Sequence, residues 1–214
     1  MTDPKRKYYE KRANVLIKNL HSRHFEACYC ADKAEALKKA LEWIPAGSSV
    51  GWGGAMSAQQ IGLLDTVRTG DYRALDRERA ATPEERKAIM KQCLGADVFI
   101  TGANALSLDG QMVNIDGNGN RVSSTLYGHQ KVYFLVGVNK VAPDFEAALW
   151  RARNVAAPKR AQSMGCRTPC AAKADRCYDC KSPERICRGM TIHMGPMKGV
   201  GETIVVLIDE KLGY

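Results

Sequence analysis

Short apolar runs alternate with helix-spaced stretches along most of this chain, and that alternation leaves few folds open to it. The runs from Ala96 to Thr101 and from Lys131 to Val138 are almost uninterrupted. Runs of that length and composition suit strands covered on both faces. Ser48 to Gly51, Tyr72 to Leu75 and Thr203 to Asp209 read as further strands, and His24 to Ala31 alternates Phe25, Ala27 and Tyr29 against Glu26, Cys28 and Cys30. Between the strands, Tyr9, Ala13, Leu16, Ile17 and Leu20 recur at helical spacing within residues 5–20. Asp32 caps a helix running to about Trp43, closed by Pro45-Ala46-Gly47. Ser57, with Gln60 three residues later, reads as a capping box. Thr82-Pro83-Glu84-Glu85 opens a helix to Leu94 with a cap followed by Pro. Pro143-Asp144 begins another, expected to reach about Val155, and Asp109-Gly110 predicts a tight hairpin between 105–108 and 111–115. The expected architecture is α/β: a mostly parallel sheet flanked by helices, an antiparallel hairpin, and a Cys-rich segment over 163–201 with no clean period, all within one domain spanning 1–214.

Composition narrows the functional classes. An apolar fraction of 45% is that of an ordinary globular chain. Met1 to Tyr9 is charged and lacks the apolar core of a secretory signal, and no stretch is long and apolar enough to span a bilayer. The expected compartment is the cytoplasm, where the eight cysteines would be thiols, metal ligands or redox groups. The net charge of +9 concentrates at Lys5, Arg6, Lys7, Lys11 and Arg12, and again from Arg151 through Arg188. Aromatic residues do not interleave with these cations as they do in single-strand binders, so a small anionic metabolite, rather than nucleic acid, is the expected partner.

In sheets of this kind ligands sit beyond the C-terminal strand ends, and three strand-following segments have the composition of binding loops. In Gly51-Trp52-Gly53-Gly54-Ala55-Met56-Ser57, the residues Gly53, Gly54 and Ser57 could bring backbone N–H groups to a phosphate or carboxylate, although the run matches neither the dinucleotide fingerprint nor the P-loop. The second segment holds Thr101, Gly102 and Asn104. The third holds Asn114, Asp116, Gly117, Gly119, Asn120 and Arg121. Its Asp116, Asn118 and Asn120 suggest calcium, but Arg121 stands where that loop needs Gly. Arg121 could instead grip an anion bidentately, with Asp116 accepting from a hydroxyl. Lys140 adds a cation after another strand.

Cys166, Cys170, Cys177, Cys180 and Cys187 follow a C-x3-C-x6-C-x2-C-x6-C spacing that suits zinc or an iron–sulfur cluster, matching neither a ferredoxin run nor a double C-x2-C ribbon. Buried thiols and a reversible disulfide are the alternatives. Cys28, Cys30 and Cys93 read as core, His21 and His24 as solvent-facing, and His193 as packing among methionines.

The runs SVGWGGAMSAQQIGLLD, ADVFITGANALSLDGQMVNIDGNGNRVSSTLYGHQKVYFLVGVNKV and RARNVAAPKRAQ together resemble the LUD family of lactate-utilisation proteins over roughly residues 10–214, most specifically from Gly102 to Lys140. The resemblance implies a fold similar to the NagB/RpiA/CoA-transferase-like superfamily, whose members include sugar-phosphate isomerases, CoA transferases and a folate cyclo-ligase. It implies a part in oxidation of lactate, or a related 2-hydroxy acid, as one component of an iron–sulfur enzyme system, and it carries no defined catalytic residue set. A cysteine cluster within the chain departs from the simplest family pattern, in which separate subunits hold the clusters. A phosphosugar- or nucleotide-type enzyme, a metal-stabilised non-catalytic accessory module, iron–sulfur partner proteins and a homo-oligomer are all compatible with the same residues.

Overall fold

The computed structural model describes residues 4–214, and the side chains of Lys5, Arg6 and Lys7 in the first basic group lie outside the described residues. In chain order the elements are α1 (Pro4–Ser22), β1 (Glu26–Cys30), α2 (Lys33–Trp43), β2 (Ser49–Trp52), α3 (Met56–Gln60), α4 (Leu63–Thr69), β3 (Arg73–Leu75), α5 (Pro83–Cys93), β4 (Val98–Thr101), β5 (Ala105–Ser107) and β6 (Met112–Asp116). There follow α6 (Asn120–Ser124), β7 (Lys131–Gly137), a 3₁₀ turn (Val138–Lys140), β8 (Val141–Ala142), α7 (Phe145–Arg151), a π-helical turn (Ala152–Ala156), α8 (Ala157–Ser163), α9 (Pro169–Lys173), β9 (Gly189–His193) and β10 (Glu202–Ile208). No helix among the described residues is long and apolar enough to cross a membrane.

Six strands form a parallel sheet in the order β1-β10-β7-β4-β2-β3. Successive strand residues point to opposite faces, so β7 divides its apolar residues between two cores. Tyr133 and Leu135 pack with Ala36 and Ala40 of α2 and with Leu63, Leu64 and Val67 of α4. Val132, Phe134 and Val136 pack with Ala13, Leu16 and Leu20 of α1. Burial on both sides explains why these strands carry no polar alternation.

The hairpin forms at Asp109-Gly110, with Gly110 left-handed at φ +89. It belongs to a second, mixed sheet in the order β8-β5-β6-β9. Ala105, Val113 and Ala142 of this sheet pack against Ala148 and Ala152.

Local signals act where the sequence places them at three of four helix starts. Asp32, Thr82 and Asp144 each accept a backbone N–H through their side chains. Ser57 differs. The helix begins at Met56 behind Ala55, with no side-chain cap, and Ser57 is buried inside it, its hydroxyl taken by Lys140. The expected stop near Val155 is also displaced. Pro158 lacks an N–H, and the wide π turn ahead of it lets helical structure continue to Ser163.

Candidate anion-binding site

The loops after β2, β4 and β7 leave the C-terminal edge of the parallel sheet, and the loop after β6 reaches the same place from the second sheet. Together they border a cavity of about 460 Å³. Of the loop residues singled out in the sequence, Gly54, Asn104, Asp116, Gly117, Asn120, Arg121 and Lys140 line it.

The other expected residues build its walls. Thr101 is buried and donates through Oγ1 to the Gly53 carbonyl at 2.8 Å, tying the β4 loop to the β2 loop. Asn114 is also buried, and its Oδ1 accepts from the Asn104 N–H at 3.1 Å. Gly102 lies beside the amine: a Cβ there would stand in ordinary contact with the Leu135 and Gly54 carbonyl oxygens (3.4 and 3.5 Å) and with Lys140 Nζ (3.6 Å). Gly119 takes the left-handed conformation that starts α6.

Asp116 serves the backbone. Its Oδ1 accepts from the N–H groups of Gly117 (2.7 Å) and Asn118 (3.3 Å), and its Oδ2 from those of Arg121 (3.1 Å) and Val122 (3.2 Å). The carboxylate therefore folds the loop that presents Arg121. The Arg121 guanidinium donates through Nη2 to Asn104 Oδ1 (3.2 Å) and to the Ile115 carbonyl. Its remaining edge lies against Gly54, where φ is +60 and a Cβ would come within 2.9 Å of Arg121 Cδ and Nη1. Gly54→Ala is therefore expected to destabilise the chain by about 1–3 kcal/mol, through left-handed strain and displacement of Arg121. Urea unfolding checks this.

Lys140 is the most unusual group here. Only 4% of it is exposed. Its Nζ donates to Ser57 Oγ at 3.3 Å, and no carboxylate pairs with it among the described contacts. Burial, followed by the positive charges of Arg151 and Arg121, pushes its pKa down to about 7. Arg151 is held nearby, donating to the carbonyls of Asn139 (3.1 Å) and Asn104.

Several lining residues escape sequence reading. Arg77 and Arg160 bring two more guanidinium groups to the cavity, and Trp52, Met56, Met164 and Tyr214 supply apolar surface. Arg77 follows an edge strand and Arg160 lies far along a late helix, so only the topology joins them to Arg121. Burial lowers the proton affinity of Arg77, and its Nε has no partner among the described residues. Against these cations stand Glu78, already paired with Arg68, and Asp116, already saturated by backbone. The surplus of positive charge in this cavity favours an anionic ligand.

The cysteines sit apart from this cavity. All eight are free thiols, and among the described residues no three His, Cys, Asp or Glu side chains are arranged to hold a metal ion. Cys30 and Cys93 are buried as expected, with Cys28 half-buried beside Cys30. His193 is buried on Phe134, its Nε2 3.1 Å from the Thr125 carbonyl oxygen.

Residues 13–208 match the family model described as the LUD domain. The chain belongs to the LUD domain family. Among solved structures, a DUF162 family protein from Deinococcus radiodurans superposes on this LUD protein with a TM-score of 0.53 at 10% identity, covering 93% of this chain and 97% of that one. Ribose 5-phosphate isomerase A from Neisseria gonorrhoeae gives a TM-score of 0.33 at 17% identity over 52% of this chain and 53% of its own. The Plasmodium falciparum ribose 5-phosphate isomerase gives 0.29 at 13% identity over 52% of each. No curated protein matches the sequence. Family and architecture thus agree with the reading from the loop residues.

Proposed function

We propose that this LUD protein binds the carboxylate of lactate, or of a related small 2-hydroxy acid, in the Arg121–Lys140 cavity and takes part in its oxidation to the 2-oxo acid in the cytoplasm. The observation that carries the reading is Lys140, a buried amine near neutrality beside Ser57 and flanked by guanidinium groups. Arg121, which lines the cavity, pairs with the carboxylate. The Lys140 amine, available as a base at neutral pH, takes the proton of the substrate hydroxyl. The Cα–H bond breaks as the carbinol becomes a carbonyl, its proton leaving to solvent and its two electrons passing one at a time to iron–sulfur electron carriers.

A second reading rests on one observation of its own. The cavity is large for a three-carbon acid, and Arg77 and Arg160 extend its positive charge beyond what one carboxylate needs. A phosphosugar or nucleotide would fill that volume and use those cations.

Trp52 lines the cavity, so its fluorescence should report occupancy. Titration with lactate, glycolate and other 2-hydroxy acids is expected to give saturable quenching, which is lost in Arg121→Ala. Saturation by sugar phosphates or nucleotides, with no response to any hydroxy acid, would establish the second reading in place of the first.

A further inference from the structure

Lys33, Lys39 and Lys131 each reach a carboxylate at the surface, within 3.0 Å of Glu210, Glu42 and Glu202. Lys140 has no such partner among the described contacts and lines the anion cavity instead. It ends the 3₁₀ turn after β7. Its Nζ donates to Ser57 Oγ at 3.3 Å. A Cβ on Gly213 would stand 2.9 Å from that nitrogen, so the chain passes close to the amine only because glycine stands there. The charged groups near it are Arg121 from α6 and Arg151 at the end of α7, with Arg77, Arg160, Glu78 and Asp116 around the rest of the cavity.

Burial first, and then the charges of Arg151 and Arg121, disfavour the ammonium and bring its pKa to about 7. A neutral amine carries a lone pair, and a lone pair has two uses. Against a hydroxyl it is a base; against a carbonyl carbon it is a nucleophile, and desolvation beside other cations is what activates lysine for that role. Oxidation of a 2-hydroxy acid uses only the first. The 2-oxo acid it yields has a carbonyl carbon directly bonded to the carboxylate, so a guanidinium holding the carboxylate brings that carbon toward the amine.

We propose that Lys140 condenses with the carbonyl carbon of small 2-oxo acids, so that the cavity takes this class of ligand as a reversible covalent imine. The proposal rests on the cavity being a carboxylate site. The lone pair of Nζ adds to the carbonyl carbon, forming the C–N bond while the carbonyl π electrons move to oxygen. Both hydrogens of the amine then follow that oxygen, which leaves as water as the C=N bond forms. Ser57 Oγ, already hydrogen-bonded to Nζ, can pass a proton from nitrogen to oxygen. No oxidant, reductant or cofactor enters the step. The adduct also suits the field of the site: when the imine takes up a proton, the ligand's own carboxylate offsets the charge, which nothing does for the bare ammonium. A 2-hydroxy acid has no carbonyl to offer. The site would therefore separate two oxidation states of one carbon skeleton by covalency.

The full chain incubated with pyruvate and sodium cyanoborohydride, which reduces a protonated imine to a stable secondary amine, is expected to gain one equivalent of the acid less one oxygen. Peptide mapping should place the gain on Lys140. Lactate should give no adduct, and Lys140→Met should give none with pyruvate. Acetone, a ketone without a carboxylate, should label on the order of tenfold less than pyruvate, as should pyruvate on Arg121→Ala. Labelling spread over surface lysines, no label on Lys140 of the unaltered chain, or acetone labelling as strong as that by pyruvate would overturn the assignment. Trp52 titrations on the same protein keep the two readings apart. Saturable quenching by lactate without a trapped adduct would sink the imine alone, and an adduct at Lys140 without any response to 2-hydroxy acids would uphold the imine and sink their oxidation.

Discussion

Lys140→Met is expected to make the protein more stable and unable to bind its anion. The buried ammonium has the Ser57 hydroxyl as its only described hydrogen-bond partner and two guanidinium groups as neighbours. Its pKa falls from the ordinary 10.5 to about 7 on folding. Between those two values the unfolded chain holds a proton that the folded chain has released, so wild-type stability rises with pH across that window. Below about 7 both states are protonated, and above 10.5 both are neutral, so stability no longer varies with this group. Each tenfold difference in proton affinity is worth about 1.4 kcal/mol. Methionine removes the buried charge while filling similar space, and the expected gain at pH 7 and below is roughly 2–4 kcal/mol. Urea unfolding of both proteins from pH 6 to 10 checks the sign: the variant's advantage should shrink as pH rises. A variant less stable than wild type at pH 6 would mean that Lys140 is paired in solution. Fluorescence titration of the same variant should show no saturable binding, separating a stability cost borne for function from a structural role.

Asp116→Ala should act in the opposite direction on stability and the same direction on binding. Four backbone N–H groups converge on this carboxylate, two before α6 and two in its first turn. Removing it leaves them to water or to nothing, a loss of about 2–4 kcal/mol. Arg121 follows directly, because its backbone N–H is among the four. A ligand affinity at least about tenfold weaker is expected from a misplaced guanidinium.

The legible parts of this molecule are those governed by neighbouring residues. Asp32, Thr82 and Asp144 announce helix starts because a short polar side chain before an apolar period has few other uses, and Asp109-Gly110 announces a hairpin because few other pairs turn so tightly. The loop residues from Gly53 to Arg121 are legible in the same way, since Gly and Asn beyond a buried strand form backbone rather than core. What the sequence conceals depends on distance along the chain. Ser57 looks like a cap until Lys140 arrives from the turn after β7 to take its hydroxyl. Lys140 itself looks solvated, because nothing nearby signals that Gly213 and Arg151 will close over it. Strand β9 hides for another reason. It lies at an edge with Met190 and Ile192 exposed, so neither face produces a period, and only its pairing with β6 identifies it.

The π turn at Ala152–Ala156 sets the phase of everything after it. One extra residue in a turn rotates all later side chains by about 100° relative to an unbroken α-helix. Arg151 before the turn reaches the Asn139 carbonyl beside Lys140, and Arg153 within it lines a smaller cavity with Cys177 and Cys187; because of the offset, Ala157 after it touches both cavities and Arg160 returns to the anion site. A deletion of one residue from this turn would yield a more regular helix and a worse protein, its cations swung out of register with the two chambers they now divide between them.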